Sequence, residues 1–461
     1  MTIIVQKFGG TSLGGGERLR NVADIIARTR NSHEVVAVVS ALSRTEKSKG
    51  TTSLLLEGSE AAARGKPFAS SVDALETNHL AVLEQAVSGK RLRDEVRRFI
   101  GEELRRVRGY LEAIEVIREL SPRSQDILLA TGERLSAHLL TATLRDRKVG
   151  AECIDLTFVV PDGEDEPDPP FFKRLQERLA KRCRPRDGKV PIVTGFFGLV
   201  PGGLLRTVGR GYTDFTAALI SAGLGSKATA EMQVWKDVEG VFSADPRRVP
   251  NARVLPTITP MEASELTYFG AEVLHPLTME RVVAAKIPIR VKNTLNPAGA
   301  GTLILEAGPD PEGQVRAVTA KGGVAIFTVQ SNRMYNAHGF MARVFNVLEK
   351  HRVAVDLIAT SEVSICCTVD DLDDIERARE ELELLGTISV TPGRAILAMV
   401  GEGMKFAVGT AGRMFTTLGA AGINIEMISQ GASEINISCV IKEEDAERGL
   451  RAVHKVFLEG G

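Results

Sequence analysis

Three things are scarce in this 461-residue sequence: charge of one sign in excess, long apolar runs, and paired cysteines. Its 58 basic residues face 59 acidic ones, a net charge of -1, so no global positive field exists to hold a nucleic acid. No stretch approaches the ~18 consecutive apolar residues of a membrane helix, and no membrane partner is expected. The opening MTIIVQKFGG has neither a basic n-region nor a small-residue cleavage site, and a secretory signal is not expected there. The five cysteines (Cys153, Cys183, Cys366, Cys367, Cys439) show no CxxC spacing. That removes the support for a disulfide framework or a zinc site. The seven histidines form no HExxH pattern, and no protein-held metal is expected. At 43% hydrophobic and 25% charged residues the chain is too apolar for disorder. Its length allows about three domains at ~150 residues each, and the cytoplasm is the expected compartment.

What is present is alternation of strand and helix. Ile3-Ile4-Val5 reads as a short strand, Arg18 to Arg30 as an amphipathic helix, and Val35 to Val39 as a buried strand ending at Ser40. Residues 71 to 120 carry helical periodicity punctuated by Gly89, Gly101 and Gly109, which leaves one helix or several open. Val190 to Thr194 is a further strand, followed by Gly195-Phe196-Phe197-Gly198. This order predicts an α/β fold with a mainly parallel sheet between helix layers, and ligands beyond the carboxyl ends of its strands. The acidic, proline-rich PDGEDEPDPP at 161–170 reads as a surface loop, and Gly308 to Gly313 as a linker.

Beyond that linker the chain repeats itself. Arg343-Val344-Phe345 matches Arg413-Met414-Phe415, Val353-Ala354-Val355 matches Ile423-Asn424-Ile425, and Ser361 to Cys367 matches Ser433 to Cys439. Each copy reads strand, helix, strand, strand, helix, so two small α+β modules are expected. A helix-like segment at 442–457 leaves little chain for a final strand, which suggests that the second module borrows one.

Several segments bear residues suited to chemistry. Lys7-Phe8-Gly9-Gly10-Thr11-Ser12 joins a strand to a helix. Its glycines let backbone N–H groups approach an anion, and Lys7 adds a point charge; a plain turn before a helix explains the same residues. Gly209-Arg210-Gly211-Tyr212-Thr213-Asp214 leads into an apolar helix. There Arg210 offers a fork for a carboxylate, and Thr213 or Asp214 can cap a helix beginning near Phe215. After Val234-Trp235, the mixed-charge run from Lys236 to Arg247 either binds a nucleotide or is an ordinary loop. Glu133, in Thr131-Gly132-Glu133-Arg134, fits the first turn of a helix. His275, taken singly, reads as structural.

In series, VQKFGGTS, VVSA, TGERLS, GFFG with GRGYTDFTAALI, VWKDVEGVFSADPRRVP and EASELTYFGAEVLHP resemble the aspartate kinases, a branch of the amino-acid kinase family. Several segments are most similar to the fungal type. The resemblance spans essentially the whole chain and implies an amino-acid kinase fold followed by two ferredoxin-like ACT modules. The implied boundaries are 1–306 for the kinase domain, 307–321 for a linker, and 322–391 and 392–461 for the modules, possible nesting included.

The resemblance implies ATP-dependent phosphorylation of the aspartate β-carboxylate, the first step toward threonine, methionine and isoleucine. Lys7, Gly9, Gly10 and Asp214 would be catalytic. Ser40, Thr45, Glu133 and Arg210 would bind aspartate, Arg210 at the α-carboxylate and Glu133 with Asp214 at the α-amino group. Lys236, Asp237, Phe242, Arg247 and Glu272 would contact ATP. Mg²⁺ would be held chiefly by ATP's own oxygens. An amino-acid effector, threonine ahead of lysine, would meet Met334, Gly339, Phe340, Met341, Asp356, Ser361, Glu362 and Val363. A homodimer or homotetramer through the ACT modules is implied. The sequence departs from the bacterial pattern at Glu272, where lysine is usual, and at Gly211-Tyr212-Thr213-Asp214, where Gly-Gly-Ser-Asp is usual. The alternative is a non-catalytic amino-acid sensor on a kinase scaffold.

Overall fold

A computed structural model describes the chain except residues 44–48, 162, 165–166, 210, 269–273, 307–314, 332–337, 432–434 and 460–461. Two compact units result. The first takes in Met1–Val241, Pro256–Pro260 and Leu274–Ala307; the second takes in Phe242–Leu255, Met261–Val273 and Gly308–Gly461. The chain therefore leaves the first unit twice before it finally enters the second.

The first unit opens with β1 (Ile3–Phe8), α1 (Gly10–Leu13), α2 (Gly16–Arg30) and β2 (Glu34–Val39). Four helices follow: α3 (Thr51–Ala63), α4 (Ala69–Ala86), α5 (Lys90–Ile117) and α6 (Pro122–Asp146). Then come β3 (Ala151–Ile154), α7 (Pro169–Cys183), β4 (Val190–Thr194), α8 (Leu204–Thr207), α9 (Tyr212–Leu224) and β5 (Thr229–Lys236). After the first excursion come β6 (Thr257–Ile258) and α10 (Pro260–Tyr268), all of α10 but Pro260 belonging to the second unit. The first unit resumes with α11 (Pro276–Ala284), β7 (Ile289–Asn293) and β8 (Thr302–Ile304).

The sheet runs β3-β4-β2-β1-β5-β7-β8-β6. All of its pairings are parallel except β7 with β8. Burial on both faces explains the β-branched runs of the central strands. Val35, Ala37 and Val39 join a core with residues of α2 to α6, while Val36 and Val38, pointing the other way, are equally buried. On that second side α9 packs against α7 and α11, with Phe172 and Phe197 both edge-on to Phe215.

Three local expectations are corrected here. Gly89 does break the region after residue 71, being the residue before α5, but Gly101 and Gly109 lie inside that helix. Pro169 and Pro170 belong to α7, not to the acidic loop, because Asp168 caps the helix by accepting from the Phe171 N–H at 2.7 Å and proline suits the first turn. The last third of the expected linker, Ala317 to Lys321, is already strand.

The second unit contains β9 (Ala317–Gln330), α12 (Phe340–Lys350), β10 (Ile358–Thr360), β11 (Ser364–Val369) and α13 (Leu372–Glu383). It ends with β12 (Thr387–Val400), α14 (Thr410–Ala420), β13 (Met427–Ser429), β14 (Asn436–Lys442) and α15 (Ala446–Leu458). The two repeats share one sheet of order β10-β11-β9-β12-β14-β13. Each long strand serves both copies: Ala325–Gln330 of β9 pairs with β11, and Arg394–Val400 of β12 pairs with β14. The expected boundary at 391–392 falls inside the continuous strand β12, at an irregularity between Thr391 and Arg394. Val344 and Leu348 of α12 are buried, as are their repeat partners Met414 and Leu418 of α14.

The excursion 242–255 is built into this unit. Ala244 and Val249 join the core of α14, α15, β12 and β14. Buried Ser243 meets His454 Nε2 at 3.0 Å, and His454 Nδ1 meets Glu459 at 2.8 Å, a carboxylate that also accepts from Asn251 at 2.8 Å. His454→Ala would take from the buried Ser243 hydroxyl its imidazole partner, leaving it the Arg253 N–H at 3.0 Å, and would open a gap beside Glu459. We expect it to destabilise the second unit by about 1–3 kcal/mol, read as a lowered unfolding midpoint. Arg247→Ala, on a side chain 88% exposed, should leave that midpoint almost unchanged; equal losses would refute the role given to the Ser243–His454–Glu459 contacts.

Candidate functional site

From β1 the chain moves first to the β2 side of the sheet and later to the β5 side. The carboxyl end of β1 is therefore the switch point where open α/β sheets bind ligands. Lys7 lies there, buried, with its Nζ 2.9 Å from Asp214 Oδ1. Asp214 sits in the first turn of α9, where a carboxylate is favoured by the helix dipole. The N-cap of this helix is Gly211 at φ 101°, a conformation that suits glycine, and no side chain caps it. The expected capping by Thr213 or Asp214 near Phe215 is corrected accordingly: Tyr212 starts the helix, Asp214 is spent on Lys7, and Thr213 faces β2. The Ser40 hydroxyl, just past β2, donates to Thr213 Oγ1 at 2.9 Å.

Gly9 precedes α1, and a Cβ on it would lie 3.8 Å from Lys7 Nζ. Gly10 has no room for a side chain: a Cβ there would fall 2.5 Å from the Ala41 carbonyl oxygen. The Ser43 N–H donates to the Gly10 carbonyl at 3.0 Å. Lys7, Gly9, Gly10, Ser40 and Asp214 are thus gathered at one end of the sheet.

Glu133 is in the middle of α6, not in a first turn. The helix starts eleven residues earlier because Ser121 caps it, accepting from the Ser124 N–H at 3.1 Å, and Pro122 follows at the first helical position. Glu133 is buried, and its Oε1 accepts from the Tyr212 hydroxyl at 2.8 Å, while Oε2 is buried without a hydrogen-bond partner among the described residues. Burial pushes its pKa up to about 7 against the Tyr212 hydroxyl and the Ala41 backbone amide, which favour the charged form. Asp126, also on α6, is lifted to about 6 by burial although it accepts from the Leu204 N–H at 2.9 Å.

The expected nucleotide residues are divided between the units. Lys236 ends β5, with its carbonyl accepting from the Thr294 N–H at 2.8 Å, and Asp237 is exposed just beyond it. Phe242 and Arg247 belong to the second unit. Phe242 bridges to Val254, and Arg247 is paired with Asp245 at 2.8 Å. Thr45, Arg210 and Glu272 lie outside the described residues. No group of three or more His, Cys, Asp or Glu side chains that could hold a metal occurs among the described residues.

Of the expected effector residues, Met334 lies outside the described residues. Gly339, at φ 76°, precedes α12, whose first residues are buried Phe340 and exposed Met341. Asp356 pairs with Lys321 at 2.7 Å and accepts from the Tyr268 hydroxyl at 2.9 Å. Ser361, Glu362 and Val363 form the turn between β10 and β11, where the Ser361 and Ser364 hydroxyls meet at 2.7 Å.

Sequence reasoning misses Tyr212, which holds Glu133, and Tyr268 with Lys321, which hold Asp356. It assigns Thr213 only a capping role. His275, read as structural, caps α11 by accepting from the Leu277 N–H at 3.3 Å, and its ring lies 3.3 Å from a Cβ built on Gly211. The neighbouring Asp214 charge tends to raise its pKa, but burial dominates and lowers it. For Tyr212 a signal does exist in the sequence, its departure from the bacterial pattern.

A model of the amino acid kinase family matches residues 2–293, and a model of the ACT domain matches residues 327–383 and 397–457. The aspartokinase of Schizosaccharomyces pombe is 43% identical, over 99% of this chain and 93% of the relative. That of Saccharomyces cerevisiae is 40% identical, over 99% and 92%. Among solved structures, Escherichia coli aspartokinase III in complex with aspartate and ADP (R-state) superposes with a TM-score of 0.80 at 32% identity, covering 98% of this chain and 99% of that one. Its complex with lysine and aspartate (T-state) gives 0.77 at 32% identity, covering 99% of each chain.

The raised Glu133 pKa has a stability consequence. Folding costs nothing through this group below its ordinary value of 4.5, and the cost grows as pH rises toward about 7, where the folded carboxyl ionises. Glu133→Gln should therefore stabilise the protein by up to about 3 kcal/mol above that range and by little near pH 4.5. Unfolding midpoints of parent and variant at pH 5 and pH 8 check this; a gain that does not grow with pH would contradict it.

Proposed function

The chain belongs to the amino acid kinase family, within its aspartokinase branch and with tandem ACT domains, and from this we propose that the end of β1 carries phosphoryl transfer from ATP to the aspartate β-carboxylate. The observation that carries the reading is the buried Lys7–Asp214 pair, with Glu133 held by Tyr212 of the helix that bears Asp214 and one of its oxygens without a partner among the described residues. A cation held at a switch point suits a phosphoryl group, and a buried orphan carboxylate oxygen suits an ammonium.

The attacking β-carboxylate has an ordinary pKa near ~4, so it is already ionised at neutral pH and needs no general base. Its oxygen bonds to the γ-phosphorus as the bond to the β–γ bridging oxygen breaks, giving 4-phosphoaspartate and ADP. The protein's work is alignment and charge neutralisation. Asp214 keeps the Lys7 stem extended into the site, and Lys7 faces the charge that shifts to the leaving diphosphate. The Gly9 and Gly10 backbone allows close approach of the phosphoryl oxygens. Glu133 takes the α-ammonium, with Asp214 near it and Ser40 lining the pocket; Thr45 and Arg210 are proposed for the same pocket, Arg210 for the α-carboxylate. Lys236, Asp237, Phe242, Arg247 and Glu272 are the proposed ATP contacts. Mg²⁺ would arrive with ATP, held by phosphate oxygens, which fits a donor set whose acidic member Asp214 is already paired with Lys7.

We place the enzyme at the start of threonine and methionine synthesis, regulated by an amino acid at the ACT modules, threonine ahead of lysine, and assembled as a homodimer or homotetramer through them. A cytoplasmic setting is supported by five free thiols, and among the described residues no helix is long and apolar enough to cross a membrane. The non-catalytic sensor reading is disfavoured by the retained Lys7, Asp214 and Glu133.

An assay coupled to ADP release, with aspartate and ATP as the only substrates, tests the activity; absence of turnover would sustain the sensor reading. In the same assay Lys7→Ala should lower kcat by at least about 10²-fold with a smaller effect on KM. The variant also strands a buried Asp214, so a stability loss of about 3–5 kcal/mol should accompany it. A folded variant with near-normal kcat would remove Lys7 from the mechanism. For regulation, Asp356→Ala should raise the inhibitory threonine concentration at least about tenfold. Unchanged sensitivity to threonine, lysine and methionine alike would put the effector elsewhere.

A further inference from the structure

We propose that Tyr212 is a positioning residue for aspartate: its hydroxyl holds one oxygen of Glu133 so that the other is presented to the substrate's α-ammonium group. The inference rests on the reading of Glu133 as the group that takes the amine. The Tyr212 hydroxyl reaches Glu133 Oε1 at 2.8 Å across 79 positions of sequence. It donates, because a carboxylate only accepts. The ring packs edge-on against Phe196, with centroids 6.1 Å apart. Packing alone would be served by phenylalanine, so the hydroxyl has no role in that contact.

The consequence for Glu133 is geometric. A carboxylate with one oxygen tied to a rigid phenol cannot rotate freely, so its second oxygen keeps one direction. That oxygen is buried and has no hydrogen-bond partner among the described residues, the state expected of an acceptor whose donor arrives with a ligand. Tyr212 is also the first residue of α9, two positions before the Asp214 that pairs with Lys7. One helical turn therefore sets both the amine-holding carboxylate and the phosphoryl-side lysine, which fixes the distance between the two ends of the substrate.

Several groups act on this carboxylate or close by. The Tyr212 hydroxyl comes from α9, the Ala41 amide from the segment after β2, and backbone from its own helix α6. Asp126 of α6 acts on Tyr212, and His275 of α11 faces Asp214, itself paired with Lys7 of β1. Among these, the Tyr212 hydroxyl is the side-chain donor that favours the ionised Glu133.

The test is Tyr212→Phe, which keeps the ring and removes the donor. The KM for aspartate at pH 7 should rise about tenfold, the loss of one hydrogen bond to a charged group, with kcat within about twofold. The acid limb of kcat/KM for aspartate should move to higher pH by about one unit, whereas the KM for ATP should hold. Succinate, which lacks the amino group, should inhibit parent and variant with the same constant. The double variant with Glu133→Gln should be no worse than Glu133→Gln alone. If Glu133→Gln raises the aspartate KM but Tyr212→Phe moves neither KM nor the acid limb, the positioning role is wrong and the Glu133 reading stands. If Glu133→Gln leaves the aspartate KM unchanged, the Glu133 reading fails and the proposal with it. Equal weakening of aspartate and succinate would mean general damage to the pocket and would also overturn it.

Discussion

A lysine ammonium can be kept out of water only beside a counter-charge, and the Lys7–Asp214 pair is that arrangement here. Much of the first unit follows from it. Lys7 is fixed at the end of a wholly buried central strand, so Asp214 must be delivered by a helix that starts within reach of that strand end. Gly211 turns the chain into α9 at the required angle, and Gly10 lets the backbone after β2 close in from the other side. The same helix start then carries Thr213 to Ser40 and Tyr212 to Glu133.

The second unit obeys a different constraint, the pairing of backbone groups in a shared antiparallel sheet. Neither repeat has a complete sheet of its own. β9 and β12 run side by side through both halves, and alternation along them divides their side chains between faces. Ala325, Phe327 and Val329 face the core of α12 and α13, while Val324 and Ile326 face a smaller cluster with Ile396, Ala398 and Val440. The boundary between repeats is therefore a local irregularity at Thr391–Arg394, where Pro392 cannot donate to the ladder.

Periodicity makes the elements legible: Val190 to Thr194 is a strand with the expected bounds, and the tandem repeat shows in the sequence itself as matched apolar positions. The departures have physical causes. Glu133 resembles a first-turn residue because acidic side chains favour that position, whereas a capping serine and proline far upstream decide where α6 begins. The start of α9 departs from the expected one because glycine at a left-handed angle replaces a side-chain cap. Contacts such as Tyr212 with Glu133 and Tyr268 with Asp356 join residues 79 and 88 positions apart, and local propensity carries no information about such pairs. The glycine-rich start after β1 and the lysine before it are visible as residue types; what fixes their use is Asp214, supplied by α9.

The buried Ser243–His454 contact spans 211 positions. During synthesis at ~5–20 residues per second, the segment from Phe242 to Leu255 leaves the ribosome ten seconds or more before the helix that will receive it exists. Ala244 and Val249 have no core to join in that interval, since α14, α15 and β14 are still untranslated. Vectorial folding of this protein is thus discontinuous: an early-made stretch must wait for one made much later. Helix α15 completes not only its own module but also a piece of polypeptide laid down more than two hundred residues before.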